Sequence, residues 1–254
     1  GMFALSMVLG PALYDSIGVP GMCALTGVLA LAAIAVVAKV IPDPQASHFH
    51  SDAEVVPARL RDVLRDGQLL RLNFGIFALH AAQMAMFTVI PFALRETGKL
   101  PESQHWKIYL PVMLISFAAM VPAIIIGEKK AKLKPIFVSA VALLLFTQIS
   151  LVFLIGNFWG IVALLLAFFI AFNVLEASLP SLISKIAPAQ AKGTAMGVYN
   201  TSMAFGLFVG SALGGWLAHR VGQNAVFVLG AALSAVWLVL ALSMRTPPAV
   251  RTRM

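Results

Sequence analysis

Apolar residues run through this chain in long uninterrupted blocks separated by mostly short polar stretches, with none of the alternation of a half-buried strand. Seven blocks cover residues 20–41, 73–94, 106–127, 134–156, 158–184, 191–218 and 224–244, and an eighth is already under way at residues 1–14. A helix rising ~1.5 Å per residue needs about 20 apolar residues to cross a hydrocarbon layer of roughly 30 Å. An unpaired strand edge has no partner in lipid, and a closed barrel would need short alternating segments, so each block is predicted to be a helix. The expected fold class is an all-α membrane protein.

Composition strengthens this reading. Of 254 residues, 60% are hydrophobic and only 11% charged, with a mean hydropathy of +0.93. A water-soluble chain of this length would carry far more polar surface. The net charge of +8 does not point to nucleic acid as a partner, because the charges lie between the apolar blocks and form no folded basic face. They set orientation instead. Fourteen of the 18 lysines and arginines fall at Lys39, within 42–72, within 129–134, at Lys185 and Lys192, and in the C-terminal tail. Only Arg95, Lys99, Lys107 and Arg220 belong to the other side. The side rich in lysine and arginine is therefore expected to be cytoplasmic, with the C-terminus inside.

This pattern organises the chain. Residues 1–41 read as the last two helices of one half, the first of them truncated, and 42–72 as a cytoplasmic linker. Residues 73–244 form a six-helix transmembrane domain, and 245–254 a cytoplasmic tail. The chain opens inside an apolar run, so further N-terminal helices of the same protein are expected ahead of Gly1. Within the linker, 57–72 puts Leu60, Val63 and Leu64 on one side and Arg59, Arg61, Asp62 and Arg65 largely on the other. That suits either an amphipathic helix lying on the membrane surface or a solvated connector. Pro91, Pro111, Pro122 and Pro180 are expected to loosen or kink their helices.

One acidic residue, Glu176, lies inside an apolar block, and a charge at membrane depth by default faces a bundle interior or aqueous cavity. It sits about 8 residues, or roughly 12 Å, from the cytoplasmic end of its helix. His80, Tyr199 and Asn200 are expected at a similar depth on two other helices, which suggests a polar layer lining a cytoplasm-facing cavity. Asn173 lies one turn deeper than Glu176 on the same face, and Gln83 one turn beyond His80. Two readings of Glu176 stand side by side. It exchanges a proton as the cavity opens and closes, or it stays ionised and pairs with Lys185 or Lys192 to lock helices together. His80 is either a proton relay or a histidine satisfied by a carbonyl or cavity water. Gly206, Gly210 and Gly214 recur every fourth residue, the spacing that lets two helices approach closely, for static packing or for a sliding contact.

No enzyme motif is present: there is no nucleotide loop, no paired acidic site, no zinc-type HExxH and no Gly-x-Ser-x-Gly elbow. Cys23 is the single cysteine, so neither a disulfide framework nor a thiol metal site is expected. No metal and no cofactor is anticipated. His48 and His50 read as solvated linker residues.

The run 172–185 around Asn173, Glu176 and Pro180, the run 192–202 with Tyr199 and Asn200, and Gly214-Gly215-Trp216 resemble the major facilitator superfamily, in its drug/proton-antiporter-like branch. Residues 72–77 and 105–109 are similar to the same branch. The resemblance covers essentially the whole chain as the fifth to twelfth helices of a twelve-helix transporter. It implies a partial bundle made of a complete C-terminal six-helix half and the end of the N-terminal half. Ser6, Gly10 and Pro11 resemble the antiporter motif of the fifth helix, although Tyr14 and Asp15 stand where that motif closes with glycines. Glu128, Lys129 and Lys132 resemble the acidic–basic loop that latches such proteins on the cytoplasmic side, here between the eighth and ninth helices, with Ala131 in place of its glycine.

Such a resemblance implies alternating-access efflux of a small organic or drug-like solute, proton-coupled, across a bacterial inner membrane. The implied partners are that solute, protons, the lipid bilayer and the N-terminal helices. An uncoupled facilitator and a non-transporting membrane binding or sensor protein are the rival expectations.

Overall fold

The computed structural model describes residues 2–41, 56–129 and 132–245. Most of the linker (42–55), residues 130–131 of the basic loop and the tail from 246 lie outside the described residues, as do His48 and His50. Among the described residues there is no strand, and seven helices are long and apolar enough to cross a membrane. The all-α expectation is met. The chain divides into two compact units, Gly1–Phe49 and His50–Met254.

In the first unit α1 (Met2–Val40) is one helical run broken at Gly18 (φ 61°, ψ −178°). That left-handed φ suits glycine alone, and it falls between the blocks predicted at 1–14 and 20–41.

The second unit begins with a short 3-10 turn (Pro57–Arg59) leading into α2 (Leu60–Arg65). The amphipathic segment ends there and does not run on to 72. Asp66 starts a new helix, α3 (Gly67–Phe87), its side chain accepting from the backbone N–H groups of Gln68 (2.7 Å) and Leu69 (3.1 Å). An N-cap of this kind satisfies donors that the first turn leaves open. Val63 is buried, while Leu60 and Leu64 are exposed and line a cleft of about 590 Å³ with residues of a later helix. The block predicted at 73–94 is cut in two, because α4 (Ile90–Gly98) follows after Thr88 and Val89. Pro91 has no N–H to offer the Phe87 carbonyl, so the ladder stops just before it.

Then come α5 (Trp106–Lys129), α6 (Leu133–Leu154), α7 (Phe158–Ile186), α8 (Lys192–Arg220) and α9 (Gln223–Leu242). Asn157 caps α7 by accepting from Gly160 N–H at 2.9 Å. Pro111, Pro122 and Pro180 lie inside their helices, which continue through them.

α3 is the hub of this unit. Leu69, Leu72, Ile76, Leu79 and Met86 are all buried to within 1%, and its neighbours include α7, α8 and α9. Lipid gives no hydrophobic drive for helix association, so close fit must supply it. The fit is closest against α8. A Cβ added at Gly206 would strike the backbone of Phe77, one at Gly210 the backbone of Ala81, and one at Gly214 would lie 2.6 Å from Ala85 Cα. The three contacts advance together by one turn, so α3 and α8 run parallel with backbones nearly touching.

The linker end is tied to the same region. Val56 N–H donates to Thr194 Oγ1 (2.9 Å), the Thr194 hydroxyl donates back to Val56 O (3.3 Å), and Arg59 donates to Gln190 Oε1 (3.0 Å). Large apolar side chains such as Phe146, Phe153, Trp159 and Val239 remain on the surface of this unit.

Candidate functional site

His80 and Glu176 come together where α3 crosses α7, with His80 Nε2 3.8 Å from Glu176 Oε2. The imidazole is oriented from its own helix: Nδ1 lies 3.2 Å from the Ile76 carbonyl. A carbonyl can only accept, so Nδ1 carries a proton and Nε2 is the nitrogen that faces the acid. The Phe172 ring, one turn from Glu176, meets the imidazole edge-on at 5.6 Å. The His80 side chain is 9% exposed and the Glu176 side chain 39%, but the Oε2 atom itself is buried and accepts no hydrogen bond from the protein. Four residues on, Pro180 has no N–H to give to the Glu176 carbonyl.

With Nδ1–H committed, Nε2 and the carboxylate share room for one further proton. Placed on Nε2 it makes an imidazolium–carboxylate pair; placed on the carboxyl it leaves a neutral acid beside a neutral ring. A gap of 3.8 Å is wider than a direct hydrogen bond, so either state can be entered without breaking one. The Tyr199 hydroxyl is also buried and without a hydrogen-bond partner.

The polar layer expected from the sequence is thus assembled only in part. α3 begins at Gly67, earlier than 73, so His80 is thirteen residues from its helix start, ~20 Å and not the 10–14 Å anticipated. It still reaches Glu176, because α7 runs antiparallel beside it. Asn200 is exposed while its neighbour Tyr199 is buried; successive helical residues point about 100° apart, so the two cannot share a face. Asn173 turns to α5 instead, donating from Nδ2 to Ser116 Oγ at 2.9 Å, and Ser116 donates to the Met113 carbonyl. Gln83 is half-buried. Ser116 and Phe172 carried no signal in the sequence beyond being a hydroxyl and a ring within apolar runs.

The pairing of Glu176 with Lys185 or Lys192 is corrected. Lys185 Nζ donates to both carboxylate oxygens of Glu128, at 2.7 and 2.9 Å, and Ser181 Oγ lies 3.4 Å from Glu128 Oε1. Lys185 is therefore committed to the end of α5, and among the described residues Lys192 has no ion-pair partner. Lys129 and Lys132 are exposed and form no ion pair among the described residues. Gly10 lies within α1, with no atom near enough to touch an added Cβ, and the side chains of Ser6, Pro11 and Asp15 are outside the described set. Among the described residues no group of histidine, cysteine or acidic side chains could hold a metal ion.

Among the described residues, seven helices long and apolar enough to cross a membrane, one helix pair sealed by glycines and one titratable pair between two helices describe a multi-pass helical membrane protein. The sequence model of the Major Facilitator Superfamily matches residues 1–211 and 130–253, and the chain belongs to that family. It is similar to the inner membrane transport protein YajR of Escherichia coli (strain K12), 42% identical over 248 residues, which cover 98% of this chain and 54% of the relative. It is also similar to the uncharacterized transporter BU466 of Buchnera aphidicola subsp. Acyrthosiphon pisum (strain APS), 28% identical over 82% of this chain and 53% of that one. A more distant relative is the multidrug resistance protein MdtH of Cronobacter sakazakii (strain ATCC BAA-894), 23% identical over 61% of this chain and 38% of the relative. The chain spans about half the length of the first two.

Proposed function

We propose that this chain supplies the C-terminal half of a secondary active transporter that exports a small organic or drug-like solute in exchange for protons. The observation that carries the reading is the His80–Glu176 pair, one shareable proton held between two helices with Glu176 partly open. In the proposed cycle the pair takes up a proton when the cavity faces one side and releases it when the two halves rock to face the other. Substrate and proton share the cavity, so each biases the state the other prefers. Asn173 and Gln83 each lie one turn from the pair, both on the same side of it because α3 and α7 run antiparallel, and together with Tyr199 they are the candidate substrate contacts.

Glu128, clasped by Lys185, is the proposed latch on the cytoplasmic ends of α5 and α7. The lysine- and arginine-rich side, which includes the α3 start and the α9 end, is proposed to be cytoplasmic, in a bacterial inner membrane. The similarity to MdtH, a protein named for multidrug resistance, supports a drug-like solute.

The test uses the full-length protein in sealed vesicles with an imposed pH gradient. Glu176→Gln is expected to abolish the response of solute flux to that gradient while solute binding persists. Unchanged gradient-driven flux with an unchanged pH profile would remove Glu176 from the coupling role. Flux that follows only the solute gradient in the wild-type protein would make it a facilitator.

A further inference from the structure

On the side of the second unit where α3 begins and α9 ends, a hollow of about 400 Å³ is lined by Asp66, Gly67, Gln68, Arg71 and Arg245. Its floor is held in place. The side-chain amide oxygen of Gln68, Oε1, accepts from the Arg245 backbone N–H at 3.2 Å, and the Lys134 ammonium, from the start of α6, donates to the Met244 backbone carbonyl. The chain leaving α9 is thereby pinned beside α3, and two arginines from distant parts of the sequence open onto one hollow. Among the described residues neither guanidinium has a hydrogen-bond or ion-pair partner. Asp66 also lines the hollow, with its Oδ1 engaged by the Gln68 and Leu69 N–H groups as the cap of α3. Two full positive charges thus face one carboxylate already bound to backbone donors.

We infer that this hollow binds a phosphate-bearing anion, gripped by Arg71 and Arg245. Guanidinium forks match the paired oxygens of a phosphate, and two of them converging leave acceptor positions that water alone fills less well. Its height on the molecule suits a phospholipid headgroup. Arg245 lies three residues beyond Leu242, the end of a membrane-length helix whose Val239 and Leu242 are 68% and 58% exposed. Those side chains offer a greasy wall for an acyl chain above a basic socket for its headgroup, the arrangement by which pockets between membrane helices take anionic lipid. A free phosphate or phosphate monoester shares the headgroup chemistry but would not use the wall.

The test titrates the purified full-length protein, in neutral detergent, with phosphatidylglycerol, with phosphatidylcholine and separately with inorganic phosphate, reading bound ligand by native mass spectrometry. Wild type is expected to retain phosphatidylglycerol in preference to phosphatidylcholine. Each arginine removed, in R71Q or R245Q, is expected to weaken that binding by about fivefold. The control R61Q/R65Q removes two exposed arginines from the same side, outside the hollow, and is expected to bind as wild type does. Inorganic phosphate that binds with the same dependence on Arg71 and Arg245, while phosphatidylglycerol does not, supports the site and assigns it to a soluble anion.

The inference is overturned if neither ligand depends on these arginines, or if R61Q/R65Q loses lipid to the same extent. R245Q alters an exposed side chain beyond the end of α9, so it carries the test even if R71Q does not fold.

Discussion

On one flank of α3 the backbone of Phe77, Ala81 and Ala85 lies against three glycines of α8; on another, His80 faces Glu176 across 3.8 Å. The first contact is dry, made of backbone and small side chains, and has no room for a methyl group. The second is polar, partly open and looser than a hydrogen bond. A titratable pair can move a proton usefully only if its two helices hold their register while charge comes and goes. In the proposed cycle the glycine seam would hold α3 in register against α8 while the pair on its other flank, between α3 and α7, gains and loses a proton.

The largest effect is expected from prising the seam apart. Gly210→Val drives a branched side chain into the Ala81 backbone, where no flexible group can yield, and overpacking of this kind costs about 1–3 kcal/mol or more. Thermal unfolding in detergent reads it, and the same substitution at Gly215, where an added Cβ meets nothing within 4 Å, is the control. A melting point unmoved by Gly210→Val would mean that the seam is not the rigid element.

Glu176→Gln attacks the other contact and is expected to leave the melting point close to wild type. Its effect falls on coupling, where linkage between two ligands is worth about 5- to 150-fold, measured as the change in solute affinity between proton-replete and proton-poor conditions. His80→Gln should reproduce the loss, and the double variant should be no worse than either single one if the two residues share one proton.

Smaller effects are expected where the unit is tied at its edges. Thr194→Val removes both hydrogen bonds to Val56 and should cost about 0.5–1.5 kcal/mol, seen as earlier proteolysis of the linker. The Glu128–Lys185 pair, with side chains 44% and 20% exposed, is expected to contribute at most about 1 kcal/mol in a double-mutant cycle. A markedly larger change in transport rate than in stability would support its action as a latch.

Much of this was legible along the chain because membrane helices obey a one-dimensional rule of length and polarity. The blocks at 106–127, 134–156 and 224–244 lie close to α5, α6 and α9, and the break between 14 and 20 falls at Gly18. The errors share a different cause. Polarity alone starts α3 at 73, too late, because Gln68 and Arg71 read as linker, although Asp66 two residues before Gln68 is an N-cap signal. Depth alone groups Tyr199 with Asn200, but adjacent helical residues necessarily face apart.

Sequence by itself determined the solvent, the helical state, the approximate spans and the presence of one acid at membrane depth, since each follows from the free energy of placing a residue in hydrocarbon. Tertiary structure alone decided the partners: Lys185 for Glu128, His80 for Glu176, Ser116 for Asn173 and Arg71 for Arg245 across their shared hollow. A charge or an amide is satisfied by whichever group packing brings within a few ångströms, and residues far apart in the chain become neighbours only when the helices have chosen their faces.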